Sequence, residues 1–377
     1  MSLDPTRAAL GAWSGGRFMH FGAPLEDRRL EALLRPDPAI PTVITADVYG
    51  QGEADRVVGR ALAGLPRDSY CLVGAIGHDF YDGERRGAKG FPRFTDPALR
   101  GPGAYRDYVL AATERSLRRC GVDRIDLLLL HNPDRTGYTS QAAWDAMAAA
   151  RDDGLARMLG VAPGPANGFT LDVLVCLERF GALIDWAMVI LNPLEPWPGE
   201  LVLPAAEAHG VRVITRVVDH GGVFHGDVRP GHAFGERDHR SFRPEGWVEA
   251  GAAKADRMRP FAERHGLTLL QLACAWNLSH PAVECVVPTL IQELGADARP
   301  VEHKRAELAA LADVELTPEE VAEIRAIGDN TGCMALKGAA PGFKGAETAD
   351  RWAVDRELAA TGERWGISAE RDLVPLA

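Results

Sequence analysis

Short apolar runs alternate with longer amphipathic stretches along this chain, and this alternation constrains its fold. The runs are rich in Val, Ile and Leu throughout, which is typical of parallel strands buried on both faces. We predict strands at 42–46, 70–75, 125–131, 158–162, 184–191, 211–216 and 283–287, and helices at 54–65, 104–119, 141–153, 171–180, 201–209 and 267–278. With a first strand expected within 16–22, the pattern predicts an α/β fold, a (β/α)8 TIM barrel.

An open, doubly wound α/β sheet is the structural alternative. Such a sheet would be expected to carry a G-x-G-x-x-G turn after an early strand. The segment Gly50-Gln51-Gly52 lacks the third glycine of that pattern. The barrel is therefore the preferred interpretation.

Two long irregular segments interrupt the alternation, at 77–103 and 219–247. Each follows a predicted strand, so each is expected at the C-terminal face of the barrel, where barrel active sites are built. A predicted helix at 315–327, with Thr317 as its N-cap, precedes a polar tail. We expect a barrel domain at 1–335 and a C-terminal extension at 336–377 that packs on the barrel as an arm.

Composition indicates which partners the protein can bind and in which compartment it resides. The formal net charge of −11 argues against nucleic acid and anionic membranes. No apolar run approaches the roughly 20 residues that span a bilayer, and the N-terminus lacks a signal-peptide pattern. The six cysteines include no CxxC pair and are expected to be buried thiols, except Cys333 in a glycine-rich segment. These features predict a cytoplasmic protein with a small-molecule substrate.

Three polar side chains stand at or just after the ends of predicted strands: Tyr49, His131 and Arg216. Because a barrel gathers the carboxyl ends of its strands at one mouth, we expect these groups within about 15 Å of one another. Arg216 closes a buried strand and needs a partner, which could be a substrate carboxylate, a phosphate or Asp219. Asp47 could supply a carboxylate beside Tyr49, or it could be a turn-forming residue at a strand end.

The segment 219–239 contains four histidines, at positions 220, 225, 232 and 239. Their spacing fits no standard zinc pattern. We therefore predict no metal site.

Several motifs occur in an order that resembles the aldo-keto reductases. They are the segment from Ile44 to Asp55, the strand 125–131 with the following Asn132-Pro133-Asp134, the segment 214–222, and Arg299-Pro300-Val301-Glu302-His303. Judged by motifs and element order, the resemblance covers roughly residues 10 to 330.

The resemblance implies an NADP(H)-linked oxidoreductase that acts on a sugar or another polar carbonyl or alcohol. Tyr49 matches the family's general acid and His131 matches the residue that orients the substrate oxygen; we add Asp47 as a candidate carboxylate. Matches to the family's cofactor contacts are Arg216, Gly222, Thr289, Arg299, Glu302 and His303. In the family a lysine, itself paired with an aspartate, lowers the pKa of the tyrosine from its usual value near about 10.

The chain departs from the family at these charged positions. Ile44 stands in place of the aspartate and Ala75 in place of the lysine. Losing both together is coherent, because an aspartate without its lysine would be a costly buried charge. The contacts of the nicotinamide carboxamide are also altered, with Ala162-Pro163 for Ser-Asn and Met188 for Gln.

Two alternatives to the redox function follow from these departures. In the first, the barrel is repurposed for non-redox proton chemistry, as a lyase, dehydratase or isomerase using Tyr49 and His131. In the second, it is a non-catalytic barrel that senses a ligand. The substrate, the direction of reaction and the oligomeric state are left open.

Overall fold

Eight parallel strands follow one another around a barrel in chain order. The computed structural model describes residues 3–86, 90–164, 170–243, 245–295, 297–331 and 354–373. The strands are β1 Ala9–Gly11, β2 Thr42–Ala46, β3 Cys71–Ile76, β4 Ile125–His131, β5 Ala156–Ala162, β6 Trp186–Ile190, β7 Arg212–Arg216 and β8 Val283–Val287. A parallel bridge between Ala8 and Val286 joins the first strand to the last. The predicted (β/α)8 barrel is confirmed.

Helices surround this barrel. They are α1 Asp27–Leu34, α2 Glu53–Leu62, α3 Tyr105–Cys120, α4 Arg135–Thr139, α5 Gln141–Asp152, α6 Thr170–Phe180, α7 Leu203–Ala208, α8 Trp247–Arg264, α9 Leu269–Leu278, α10 Val301–Ala309, α11 Pro318–Gly328, α12 Arg356–Arg364 and α13 Ala369–Asp372. Thr317 caps α11 through a capping box with Glu320, as expected for that N-cap. In the part of the chain that the structure describes, no helix is long and apolar enough to cross a membrane.

The first strand is the one strand whose predicted position was wrong. It lies at Ala9–Gly11, not within 16–22. Gly15, Gly16 and Gly22 all have positive φ angles, between 63° and 74°, so this segment turns and does not extend. A strand of three residues is too short to produce a recognisable apolar pattern.

Side chains of β2 alternate between the barrel interior and the layer under the helices. Ile44 and Ala46 point inward, into an apolar cluster that also contains Ala75 and Met188. Thr45 points outward, where its Oγ1 donates to Asp55 Oδ1 on α2 at 2.9 Å. This alternation decides which residues after β2 can reach the mouth.

The described part of the C-terminal segment packs on the outside of the barrel. Helix α12 lies against α6, and Trp365 Nε1 donates to Glu178 Oε1 at 3.0 Å. The boundary expected at residue 335 falls among residues that the structure does not describe, so the domain division stays a prediction. Cys333 also lies outside the described residues, whereas the other five cysteines are buried and form no disulfide.

Candidate active site

Tyr49 and His131 come together at the mouth of the barrel. After β2 the chain turns sharply through Tyr49–Gly52, where Gly50, Gln51 and Gly52 have φ angles of 58°, 53° and 92°. This turn brings the ring of Tyr49 over the end of β4, whose last residue is His131. The two rings meet edge to face with centroids 5.7 Å apart. The sequence-predicted phenol and imidazole are therefore in direct contact.

Arg216, the last residue of β7, supplies the positive charge that acts on Tyr49. Burial raises the pKa of Tyr49, and the Arg216 guanidinium opposes that rise. Arg216 Nη2 donates to the carbonyl oxygen of Pro163 at 2.9 Å. Burial also lowers the pKa of Arg216 itself, although an arginine stays charged at any ordinary pH. The structure thus brings Tyr49, His131 and Arg216 to one site.

The two positions that carry charge in the resembling family are apolar here. Ile44 is 2% exposed and Ala75 is 6% exposed, and both belong to the apolar cluster inside the barrel. Among the described residues, Arg216 is the one charged side chain that acts on the Tyr49 hydroxyl. The cation near the phenol therefore comes from β7 and not from β3.

Asp47 is not part of this group. Its backbone N–H donates to the carbonyl oxygen of Ala75 at 3.1 Å, so the strand alternation continues and its side chain lies outside the barrel wall. There it is fully buried, and burial, then the charge of Asp55, hold the pKa of its carboxyl well above the usual range. Because the turn begins after Asp47, Tyr49 lies at the mouth of the barrel, whereas the side chain of Asp47 stays outside the barrel wall. The geometry does not support Asp47 as the catalytic carboxylate.

A second histidine, His78, was missed by sequence reasoning. Its ring packs edge to face on His131 with centroids 5.1 Å apart. Nδ1 of His78 lies 3.0 Å from Arg93 Nη1, and Nε2 lies 3.0 Å from the side-chain amide of Asn132. The atom of Asn132 nearest Nε2 is Nδ2, and the carbonyl oxygen of Phe91 lies 3.4 Å from Nδ1, so polar groups hold the ring on both sides. The one available signal was its place in the long segment 77–103.

Three of the six predicted cofactor contacts are joined by hydrogen bonds through two intervening residues, Asp219 and His225. The carboxylate of Asp219 accepts from the N–H groups of Gly222 at 3.0 Å and Thr289 at 2.7 Å. His225 Nε2 donates to Thr289 O at 2.9 Å, and Arg299 Nη1 donates to His225 O at 2.7 Å. Burial lowers the pKa of His225 to about 3, so its ring is neutral. Gly222, Thr289 and Arg299 therefore form one connected wall beyond β7 and β8.

Glu302 and His303 stand apart from that wall. Both are exposed on the first turn of α10. Glu302 pairs with Arg29, whose Nε lies 2.8 Å from Oε1. The remaining predicted contact, Arg216, lies with Tyr49.

The long segment after β7 is tied across the mouth by a buried ion network. Arg240, 2% exposed, pairs with both Asp238 and Glu293. Asp238 Oδ2 in turn accepts from the N–H of Gly22 at 2.8 Å. The segment therefore connects the ends of β7 and β8 to the loop after β1. Among the residues that the structure describes, no group of three or more His, Cys, Asp or Glu side chains could hold a metal ion.

Comparisons with known proteins match most of the chain. The model of the Aldo/keto reductase family matches residues 37–329. A probable voltage-gated potassium channel subunit beta from Oryza sativa subsp. japonica is 26% identical over 336 residues, which are 86% of this chain and 93% of that protein. Versiconal hemiacetal acetate reductase from Aspergillus parasiticus is 23% identical over 75% of this chain and 81% of its own length.

Solved structures share the same fold. Glycerol dehydrogenase from Gluconobacter oxydans superposes with a TM-score of 0.65 at 25% identity, over 87% of this chain and 92% of that one. An aldo/keto reductase from Klebsiella pneumoniae, solved with NADP and acetate, has a TM-score of 0.57 at 22% identity, over 86% of this chain and 95% of that one.

Proposed function

This chain belongs to the aldo/keto reductase family, and from that premise we propose that Tyr49, His131 and Arg216 carry an NADP(H)-linked interconversion of a small polar carbonyl and its alcohol. The observation that carries the proposal is the contact between Tyr49 and His131, with Arg216 as the charged group that acts on the phenol. The family is one of oxidoreductases linked to NADP(H). This chain differs in the cation that acts on the phenolic proton of Tyr49, which is Arg216.

In the reducing direction, Tyr49 gives its phenolic proton to the carbonyl oxygen of the substrate. The phenolate that remains is stabilised by Arg216, because a nearby cation favours the charged form of an acid. His131 directs the same oxygen toward the Tyr49 hydroxyl by hydrogen bonding. In the oxidising direction, the phenolate takes the proton back from the alcohol.

NADPH, when bound, supplies the hydride for the carbonyl carbon. The residues that would hold it are Gly222, Thr289 and Arg299 in the connected wall, with Arg216 at the mouth. Arg299 fits a nucleotide phosphate, because its side chain is 40% exposed and its Nε–H has no partner in the described part of the chain. Glu302 and His303 would act at the outer rim of the same site.

A second candidate function is proton chemistry without a redox step. Ala162 and Met188, each 4% exposed, stand where the family would bind the nicotinamide carboxamide through polar groups. This loss favours a lyase, dehydratase or isomerase that uses Tyr49 and His131. Cytoplasmic residence remains part of our proposal and is supported by five buried cysteines that form no disulfide.

The proposal is tested by NADPH binding and turnover. We expect the purified protein to change NADPH fluorescence and to consume NADPH with polar aldehydes, and we expect Tyr49→Phe to abolish turnover without abolishing binding. Tyr70→Phe is the matched control, because Tyr70 is a buried tyrosine that immediately precedes β3, at the end of the barrel away from the mouth. A protein that binds neither NADPH nor NADH would replace this proposal with the second candidate function.

A further inference from the structure

Arg216 differs from three other arginines around the mouth because it has no acidic partner among the residues that the structure describes. Arg240 pairs with Asp238 and Glu293, Arg243 with Glu195, and Arg100 with Asp79. Arg216 makes a single hydrogen bond, to a neutral backbone carbonyl, and no carboxylate of the described residues pairs with it. Its charge is therefore uncompensated within that part of the protein.

The nearby carboxylates are already used. Asp219, three residues after Arg216, gives both of its oxygens to the backbone N–H groups of Gly222 and Thr289. Glu195 accepts from Arg243 and Asn192 and pairs with His220. Moving either carboxylate to Arg216 would leave buried donors unsatisfied, which costs more than the new pair would gain. No carboxylate in the described part of the chain is therefore left to compensate Arg216, and an anion on the substrate would do so.

The surroundings of Arg216 favour a compact anion on a short apolar compound. Arg216 is half-buried at the mouth, and the apolar cluster inside the barrel includes Trp13, Ile44, Ala75 and Met188. A polyhydroxylated neutral sugar would need hydrogen-bonding groups where these apolar side chains stand. A charge-assisted bond in such a dry site is stronger than the same bond in water.

We propose that Arg216 anchors a carboxylate on the substrate, so that the enzyme acts on an oxo acid whose carbonyl oxygen reaches Tyr49 and His131. This inference rests on the proposed function for the carbonyl step. One edge of the guanidinium donates to the carbonyl oxygen of Pro163. Another edge can form two parallel hydrogen bonds to a carboxylate.

Matched substrate pairs test the inference. We expect 4-oxobutanoate to be reduced with a higher kcat/KM than butanal, by about ten- to hundredfold, which is the usual strength of a charge-assisted pair. Arg216→Gln should remove that preference mainly through KM, and Arg216→Lys should keep part of it because the charge remains. Arg118→Met, which removes an exposed arginine of α3, should leave the preference intact.

A second arm distinguishes a carboxylate from a phosphate at the same place. Glyceraldehyde 3-phosphate is compared with glyceraldehyde in the same assay. A larger Arg216-dependent preference in this pair than in the first would overturn the carboxylate assignment in favour of a phosphate.

A third arm does not depend on redox chemistry. Calorimetry with unreactive butanoate should detect binding to wild type and to Arg118→Met but not to Arg216→Gln, with melting temperatures confirming that each variant is folded. Binding that depends on Arg216 in a protein with no NADPH turnover would support the anion site and refute the proposed function. Equal turnover of 4-oxobutanoate and butanal, with no butanoate binding, would refute the anion site and leave the proposed function standing.

Discussion

The ring of Tyr49 meets the ring of His131 edge to face, with the two planes at 87°. A pair of this geometry contributes about 0.5–1.5 kcal/mol beyond the area that it buries. It joins the turn after β2 to the end of β4, two elements far apart in the sequence. The phenol and the imidazole therefore keep a fixed relation before any substrate arrives.

The first prediction concerns the ionisation of Tyr49. Burial raises the pKa of this phenol and Arg216 lowers it, so removing Arg216 should raise the pKa further. Alcohol oxidation needs the phenolate, and its rate should increase with pH up to that pKa. We expect Arg216→Gln to move this limb of the pH profile of kcat, measured with a saturating neutral alcohol, to higher pH. An unmoved profile would mean that another group sets the pKa of Tyr49.

The second prediction concerns His78, which we assign as a positioning residue for His131. His78→Ala removes the ring that packs on His131 and the contacts with Arg93 and Asn132. We expect kcat to fall about tenfold with little change in KM, since loss of orientation affects the chemical step. His78→Phe keeps the ring contact with His131, so its kcat should lie between those of the wild type and of His78→Ala. His209→Ala, an exposed histidine after α7, is the control, and an equal loss there would contradict the assignment.

The third prediction concerns the nucleotide. If Arg299 contacts the 2′-phosphate that distinguishes NADPH from NADH, Arg299→Ala should weaken NADPH binding about ten- to hundredfold and leave NADH almost unchanged. Arg305→Ala is the matched control, because Arg305 lies nearby on α10 and, like Arg299 with Glu307, pairs with a carboxylate, that of Asp37. Calorimetry with both nucleotides measures the difference. If Arg299→Ala weakened the binding of NADPH and NADH equally, Arg299 would support the wall and would not select the 2′-phosphate.

The fourth prediction concerns Asp47 and the pH dependence of stability. Burial, and then the charge of Asp55, raise the pKa of Asp47 in the folded protein well above the usual value of 3.8. The folded state therefore holds a proton that the unfolded state releases, and this group makes stability fall as pH rises from 3.8 through the folded pKa. Asp47→Asn should remove that loss, which is at most about 1.4 kcal/mol per pH unit.

Urea unfolding at several pH values should show the advantage of Asp47→Asn growing as pH increases. Asp55, whose pKa is raised to about 6, and Asp79 and Arg119 also face this carboxyl and will contribute to the slope. Turnover should change little, because the side chain of Asp47 lies outside the barrel wall and not at the mouth. A loss of turnover comparable with that of Tyr49→Phe would return Asp47 to the catalytic group.

Much of the fold was predictable because its strands are buried on both faces and leave continuous apolar runs. Strands β2, β4 and β8 have the predicted bounds. The strand ends also predicted Tyr49, His131 and Arg216, since parallel strands deliver their last residues to one mouth. The separation of Asp47 from Tyr49 was not predictable, because it depends on the residue at which the extended strand gives way to a turn.

Hydrogen bonds between residues far apart in the chain were also not predictable from the sequence. Asp219 was a reasonable partner for Arg216, only three residues away. In the structure it instead accepts from Thr289, 70 residues later in the chain. His78 likewise depends on Asn132, which lies in a different loop and has a left-handed φ of 47°. Neither contact leaves a periodic signal in the sequence.

The last prediction concerns the two apolar positions inside the barrel. Ala75→Lys alone should not give family-like reduction of simple aldehydes. Its ammonium would lie among apolar side chains, and burial would depress its pKa toward the neutral form. Without a carboxylate at position 44 it would also be an unpaired buried charge, so a lower melting temperature is expected.

The double substitution Ile44→Asp with Ala75→Lys is the decisive variant. The new carboxylate would hold the new ammonium in its charged form beneath Tyr49, and NADPH-dependent reduction of butanal should then exceed that of either single variant. Ile44→Asn with Ala75→Met, which keeps similar volumes without charge, is the control. Brisk reduction by Ala75→Lys alone would show that the lysine does not need its aspartate here. Ordinary family rates in the unmodified chain would show that Arg216 already replaces the missing cation in full.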